Sequence, residues 1–347
     1  MKPRWLSLLL IATLGLTACS EAPPQVHKAK LFTLGTLVDV SVLHPNEATA
    51  QQAVKIVEDE LAIINSQWHA WRDSPLTLIN QQLAQGKTVT INSVSHHFLQ
   101  QAQTLAANSN QLFNPAIGSL VSLWGFHHDD RPDGAPPVKE KIAAALKQAP
   151  SMANITLTET TLASNNPAVQ FDFGAFGKGY AIDRAVEQLK LAGIENAIVN
   201  AGGDLRAIGA KGDRPWRIGV RHPIEAGVIA SIETNGDESV FTSGNYERFF
   251  DFDGKRYHHI INPRSGYPAN DAISVTVIHN NAATADAAAT ALFIAGETEW
   301  PQIAKQMGID EVMLIGNDLT IHMTPKMAQR IQLEIDDAQV NIIAGDS

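Results

Sequence analysis

Cysteine is nearly absent: one, Cys19, stands in 347 residues. A single thiol excludes an internal disulfide and any multi-cysteine metal or iron–sulfur site. Basic charge is scarce too. Against 36 Asp and Glu there are 26 Lys and Arg, a net charge of −10. Nucleic-acid binding needs a basic footprint on the phosphates, so this balance argues against it. Beyond the N-terminus no apolar run approaches the roughly 20 residues that cross a bilayer. The body shows no internal repeat, low-complexity block or long linker. What is present is 44% hydrophobic and 18% charged, the composition of a globular chain with a sizeable core. Its length predicts one large domain or two intimate ones.

The start reads as an address. Lys2 and Arg4 precede an apolar run from Trp5 to Leu16, too short for a comfortable span and typical of a secretory signal. The run ends in Leu16-Thr17-Ala18-Cys19, which looks like a bacterial lipobox. The expectation is a signal peptide over 1–18, lipidation of Cys19, a tether over 19–29 and one domain over 30–347. The body would then sit in the periplasm, held to a membrane by lipid.

Periodicity predicts a strand over 30–43 and a helix capped by Asn46 and running to Trp68. Ala50, Val54, Val57, Leu61, Ile64 and Trp68 form its apolar face. Helices are expected over 95–108, 116–124, 138–149, 178–191 and 284–295, and a surface loop over 129–137. Strands are expected over 197–200, 205–208, 216–221, 228–233 and 273–279, with a hairpin over 249–261 turning at Asp253-Gly254. Without a regular βαβ rhythm, a doubly wound sheet is not the expected fold.

Four small, polar islands interrupt this pattern. Phe171 to Tyr180 joins a strand to a helix and carries Gly174, Gly177, Gly179 and Lys178. Glycines and the free N–H groups of a helix start suit an anion such as a diphosphate. A plain tight turn fits the pattern equally well. Asn200 to Asp204 contains adjacent glycines, and Asp204 reads more simply as closing an Asx-turn than as a ligand contact. Thr242 to Arg248 connects to the hairpin bearing His258 and His259. Neighbours on a strand face opposite ways, so one histidine could face a site and the other solvent. Asp286 and Thr290 lie four apart on one helix face, so both can aim oxygen at one hard cation. Read alone, Asp286 more simply stabilises the helix start.

Seven stretches in this order resemble the ApbE family of flavin transferases: Phe32 to Thr36, Asn114 to Phe126, Asp172 to Tyr180 with Asp183, Asn200 to Asp204, Thr242 to Arg248, His259 to Pro268, and Ala285 to Thr290. The resemblance covers Lys30 to about Gln306. It implies an α+β fold, ApbE-like and T-fold-related, with mixed and antiparallel sheets, packed helices and a ligand cleft between two intimate subdomains. It implies transfer of FMN from FAD to a Thr or Ser hydroxyl of a partner protein, with AMP released and Mg²⁺ (or Mn²⁺) required. Acceptors would include subunits of sodium-pumping NADH:quinone reductase or related electron-transfer complexes.

By the same resemblance the Ala175 carbonyl, Asp286 and Thr290 would hold the metal. Asp172 and Lys178 would contact FAD. Backbone at Gly118, Ser119, Leu120 and Ile260 would line the flavin or adenine pocket. His259 would assist proton transfer or orient the diphosphate, with Lys178 stabilising charge on the phosphates. Two positions depart from the family pattern. Leu34 replaces a Met expected to touch flavin, and Trp71 could stack on the ligand in place of a Tyr that many relatives carry shortly before Asp73-Ser74. Hydrolysis of FAD to FMN and AMP, and non-catalytic FAD binding by a lipoprotein, remain open alternatives.

Overall fold

The computed structural model describes residues 23–128 and 134–343. The expected signal segment, Cys19 and much of the expected loop at 129–137 lie outside the described residues. The chain opens with β1 (Gln25–Thr33), β2 (Thr36–His44), α1 (Glu47–Gln67), α2 (Pro75–Ala84), β3 (Val89–Thr90), α3 (Ser93–Asn108), α4 (Gly118–Leu123) and α5 (Lys139–Lys147). It continues through β4 (Ile155–Leu157), β5 (Thr161–Ser164), α6 (Gly177–Leu191), β6 (Ala197–Ala201), β7 (Asp204–Ile208), β8 (Arg217–Arg221) and β9 (Val228–Glu233). Then come β10 (Glu238–Gly244), β11 (Phe249–Phe252), β12 (Lys255–His258), β13 (Ser274–His279) and α7 (Ala282–Met307). The last elements are β14 (Glu311–Ile315), β15 (Ile321–Met323), α8 (Pro325–Arg330), β16 (Ile331–Leu333) and β17 (Val340–Ile342).

Alternation along the strands builds the layers. One sheet runs β1-β2-β6-β7-β10-β13-β14-β15-β17, antiparallel except for the parallel pair β15–β17. On β14, Val312 and Leu314 join the core beneath α1, α3, α6 and α7, while Met313 and Ile315 join a second core beneath the small sheet β16-β9-β8. Both faces of the central sheet are therefore covered. The mixed, antiparallel-dominated α+β architecture is the one expected. The α1 stripe is buried at Ala50, Val57, Leu61, Ile64 and Trp68, with Val54 half-buried. Asn46 caps the helix by accepting the Thr49 N–H at 3.0 Å.

The single strand expected over 30–43 is instead a hairpin. Leu34 and Gly35 both take left-handed φ values, 53° and 69°, as a two-residue primed turn requires. Leucine at the first of these positions gave no turn signal. The first strand also starts at Gln25, inside the expected tether, because Gln25 to Ala29 pair with His44 to Val40. The helix expected to end at Ala295 breaks there. Gly296 adopts φ 64°, and a Cβ on it would lie 2.4 Å from the Asp271 Cβ; helical structure then resumes to Met307.

Phe98 anchors the part of the core under the first island. Its ring stacks on Trp68 at 3.9 Å and meets Phe173, Phe176 and Tyr180 edge-on at 4.7, 5.0 and 4.8 Å. Replacing it with alanine opens a cavity that these rings cannot all fill. Phe98→Ala is expected to cost about 3–5 kcal/mol, read as a loss in urea midpoint with an unchanged slope.

Candidate active site

The sequence between residues 171 and 177 alternates anchors and small residues. Phe171, Phe173 and Phe176 are buried, which turns Asp172, Gly174 and Ala175 outward. Asp172 Oδ1 accepts the Gly174 N–H at 2.9 Å, and the Phe173 carbonyl accepts the Gly177 N–H at 2.7 Å to start α6. Burial raises the Asp172 carboxyl above the usual carboxylate range.

Ala175 lies before the cap residue Phe176, so its carbonyl stands outside the helical ladder. Gly179 is the third residue of α6, so its N–H, like the others of a first turn, has no acceptor within the helix. Here Gly179 donates to Asp286 Oδ2 on α7 at 2.9 Å. Among the described residues the Ala175 carbonyl receives no hydrogen bond, and neither does Asp286 Oδ1. The Ala175 carbonyl, just before α6, and Asp286 Oδ1, drawn to the first turn of α6 by its partner oxygen, thus both keep their acceptor capacity. Thr290, one turn further along α7, places Oγ1 3.2 Å from Ser243 Oγ on β10.

Charge concentrates at this point. The Lys178 ammonium pairs with Asp204 Oδ2, and Asp204 Oδ1 accepts the Thr242 N–H at 3.0 Å. Asp204 therefore does not close an Asx-turn; the local turn is held by Asn200, whose Oδ1 accepts the Gly203 N–H three residues on at 2.8 Å. Burial opposes the Lys178 charge, yet Asp204, Asp286 and Glu247 together hold its ammonium above the usual lysine range. Burial pushes the Asp286 carboxyl up to about 7, with Lys178 opposing and Asp204 adding to the shift. Three carboxylates around one ammonium leave excess negative charge. With one carboxylate, one hydroxyl and one backbone carbonyl, the set suits a hard cation that takes its other ligands from phosphate and water. No cluster of three or more His, Cys, Asp or Glu side chains able to hold a metal occurs among the described residues. The predicted set, with its single carboxylate, is not of that kind.

The hairpin tip borders the same place. Gly202 has φ 70°, and a Cβ on it would stand 2.5 Å from Thr36 Oγ1. That contact seats the Leu34 turn beside the β6–β7 turn that leads to Asp204. Leu34 itself is half-buried against the main core.

The two histidines separate, but neither faces solvent as expected for one of them. His258 is 2% exposed. One ring nitrogen contacts the Ala269 carbonyl at 2.6 Å and the other accepts the Ile260 N–H at 3.3 Å. His258 therefore fixes the turn before Ile260. His259 Nδ1 lies 3.2 Å from the Arg248 carbonyl. A carbonyl only accepts, so Nδ1 carries the proton and Nε2 keeps its lone pair. Burial lowers this imidazole to about 3, with His258 and Arg248 adding to the effect. Arg248 also donates to the Phe126 carbonyl at 3.3 Å and to the His128 carbonyl, and its guanidinium lies 5.9 Å over the Trp71 ring. Neither Arg248 nor Glu247 was singled out individually from sequence, since both appeared only as members of a motif.

Leu120 and Ile260 are buried core side chains. Their backbone groups are engaged within the protein: the Leu120 N–H meets the Ile117 carbonyl and its carbonyl the Trp124 N–H, while the Ile260 N–H meets His258 and its carbonyl the Ala269 N–H. Gly118 is pressed on Gln170, whose carbonyl accepts its N–H at 2.8 Å. A cavity of about 500 Å³ opens beside Ser119 and Ala70, lined further by α2 and residues 167–170. Its lining includes Ser119 but not Asp172, Lys178 or Asp286.

Residues 34–313 match the model of the ApbE family. The chain is 40% identical over 323 residues to a FAD:protein FMN transferase of Rhodobacter capsulatus, covering 93% of this chain and 61% of that relative's length. It is 32% identical to one of Klebsiella pneumoniae, covering 92% of this chain and 98% of that one. Among solved structures it is similar to the ApbE protein of Thermotoga maritima, with TM-score 0.80, 31% identity and coverage of 88% and 99%. It is also similar to the flavin transferase ApbE of Vibrio cholerae, with TM-score 0.78, 28% identity and coverage of 89% and 100%.

Proposed function

The chain belongs to the ApbE family, and on that premise we propose that it is a transferase that moves the FMN half of FAD onto a hydroxyl of a partner protein. The observation that carries the reading is the hydrogen bond from the Gly179 N–H to Asp286, which draws that carboxylate to the first turn of α6, just after an Ala175 carbonyl that accepts no hydrogen bond. Ala175, Asp286 and Thr290 would hold Mg²⁺ or Mn²⁺. Such an ion neutralises a diphosphate and polarises the phosphorus under attack.

The chain's own residues then have distinct tasks. Glycines 174 and 177 let phosphate oxygens approach the start of α6. Lys178, held by Asp204, stabilises charge growing on those oxygens. Asp172, Leu34, Trp71 and the backbone at 118–120 and 260 border the flavin and adenine. His259 Nε2 takes the proton of the acceptor hydroxyl as its oxygen bonds to the FMN phosphorus. The bond from that phosphorus to the bridging oxygen breaks, and AMP leaves. The negative charge of bound diphosphate raises the basicity of His259 above its value in the empty site.

The acceptor would be a flavin-bearing subunit of sodium-pumping NADH:quinone reductase or a related complex. Cys19 would be lipidated after signal cleavage, placing the body at a bacterial membrane in the periplasm. Incubating the chain with FAD, Mg²⁺ and such an acceptor domain tests the reading. A fluorescent acceptor band with matching AMP release is expected. Free FMN without labelled acceptor would show hydrolysis, and intact FAD would show binding alone.

The raised Asp286 carboxyl gives a pH signature. Between about pH 4 and 7 the folded chain keeps this proton and the unfolded chain loses it. Without a cation, this group lowers folding stability as pH rises through that window. A cation binds only the ionised form. The Mg²⁺-induced rise in Tm is therefore expected to be large at pH 8 and to vanish by pH 5. An equal rise at both would contradict the assignment.

A further inference from the structure

Helices α6 and α7 exchange carboxylates at their N-termini. The first turn of α6 donates the Gly179 N–H to Asp286 on α7. In return, the first turn of α7 donates to Asp183 on α6: Ala282 N–H to Oδ1 at 2.8 Å and Ala283 N–H to Oδ2 at 2.9 Å. The cap residue Asn281 adds its Nδ2 to Oδ2 at 2.6 Å, and Arg206 Nη1 from β7 reaches Oδ1 at 2.5 Å. Asp183 is 5% exposed, so this carboxylate meets its four donors almost entirely out of water.

The backbones touch between these two exchanges. A Cβ on Gly179 would lie 2.3 Å from the Ala282 carbonyl oxygen and 2.6 Å from its carbon. Even one methyl group forces the helices apart. Asp183 lies one turn after Gly179 on α6, and Ala282 lies one turn before Asp286 on α7. The helices are thus pinned at two points one turn apart. A single pin leaves a pivot, whereas two fix both spacing and angle.

The oxygens read as cation ligands stand on opposite sides of this joint, Ala175 at the start of α6 and Asp286 and Thr290 on α7. Mg²⁺ tolerates little departure from octahedral geometry at about 2.1 Å. We propose that Asp183 and Gly179 are positioning residues for the cation site, setting its bite without touching the ion. This inference rests on reading Ala175, Asp286 and Thr290 as ligands.

In Asp183→Asn an amide NH₂ replaces one acceptor oxygen and faces N–H donors. In Gly179→Ala the methyl wedges against Ala282. The control is Asp237→Asn. Asp237 holds the other side of Arg206, at 2.8 and 2.9 Å, and touches neither helix start. The experiment measures Mn²⁺ affinity of the full chain by EPR of the free ion, with ADP present, at 20 °C below each variant's Tm. Asp183→Asn and Gly179→Ala are expected to weaken Mn²⁺ binding at least tenfold, with Asp237→Asn within twofold of wild type despite a lower Tm. Either of the first two variants suffices if the other does not fold. If the wild type binds Mn²⁺ saturably, Asp286→Ala does not, and the positioning variants bind like wild type, the inference is overturned. If the wild type shows no saturable binding, or Asp286→Ala binds equally well, the ligand reading itself fails.

Discussion

Asp286→Ala is expected to lower the single-turnover rate of FMN transfer by at least roughly a thousandfold at saturating FAD and Mg²⁺, while the chain remains folded. The size follows from the several kcal/mol by which a bound cation stabilises charge in phosphoryl transfer. The substitution removes the one carboxylate of the proposed ligand set and leaves Thr290 and the Ala175 carbonyl without its charge. Two effects on stability oppose each other. The Gly179 N–H loses its acceptor, at about 1–3 kcal/mol. A buried carboxylate whose ionised form burial disfavours also disappears. Tm in EDTA should therefore move by only a few degrees, and the Mg²⁺-induced rise should be gone. A variant that transfers FMN within threefold of wild type would show that the cation, if any, sits elsewhere.

His259→Ala should lower kcat by about 10²–10⁴, the usual contribution of a positioned base. The structural ground is the fixed tautomer, with Nδ1–H given to the Arg248 carbonyl and Nε2 left as acceptor. His259→Asn provides the sharper comparison. Its amide N–H can replace the Nδ1 donation to Arg248 but supplies no base, so it should be as slow as alanine. Because the imidazole does not hold the metal in this account, Mn²⁺ affinity should stay within twofold in both variants. A kcat near wild type in either would reduce His259 to an orienting role. His258→Ala should behave differently, since that ring is bonded at both nitrogens and packed edge-on to Phe293 at 5.5 Å. Its effect should be a loss of stability.

How much of this was legible beforehand depended on whether the signal was local. The α1 stripe and its Asn46 cap were readable because helix periodicity and capping chemistry act over a few residues. The glycine islands were readable because close backbone approach has few sequence solutions. The Leu34–Gly35 turn was not, since a leucine at φ 53° is held by the pairing of its flanking strands and not by its own preference. The same holds for Gln25 to Ala29, which look like a tether until β2 supplies their partners. Asp286 and Thr290 could be placed on one face from spacing alone. That Asp286 would take the Gly179 N–H, 107 positions away, could not. Asp204 was misread because a carboxylate after two glycines fits a local turn, whereas its partners, Lys178 and Thr242, come from α6 and β10. Asp183 stood in the sequence as one more member of a motif, and only the packing of two helices shows what it joins.

The central claim is that a divalent ion between the start of α6 and the first turns of α7 touches the diphosphate of FAD. Electron–nuclear double resonance on the Mn²⁺-loaded chain tests it directly. With FAD bound, the spectrum should show phosphorus-31 coupling that disappears in Asp286→Ala. A wild-type spectrum without that coupling, or one that survives unchanged in Asp286→Ala, would contradict the account.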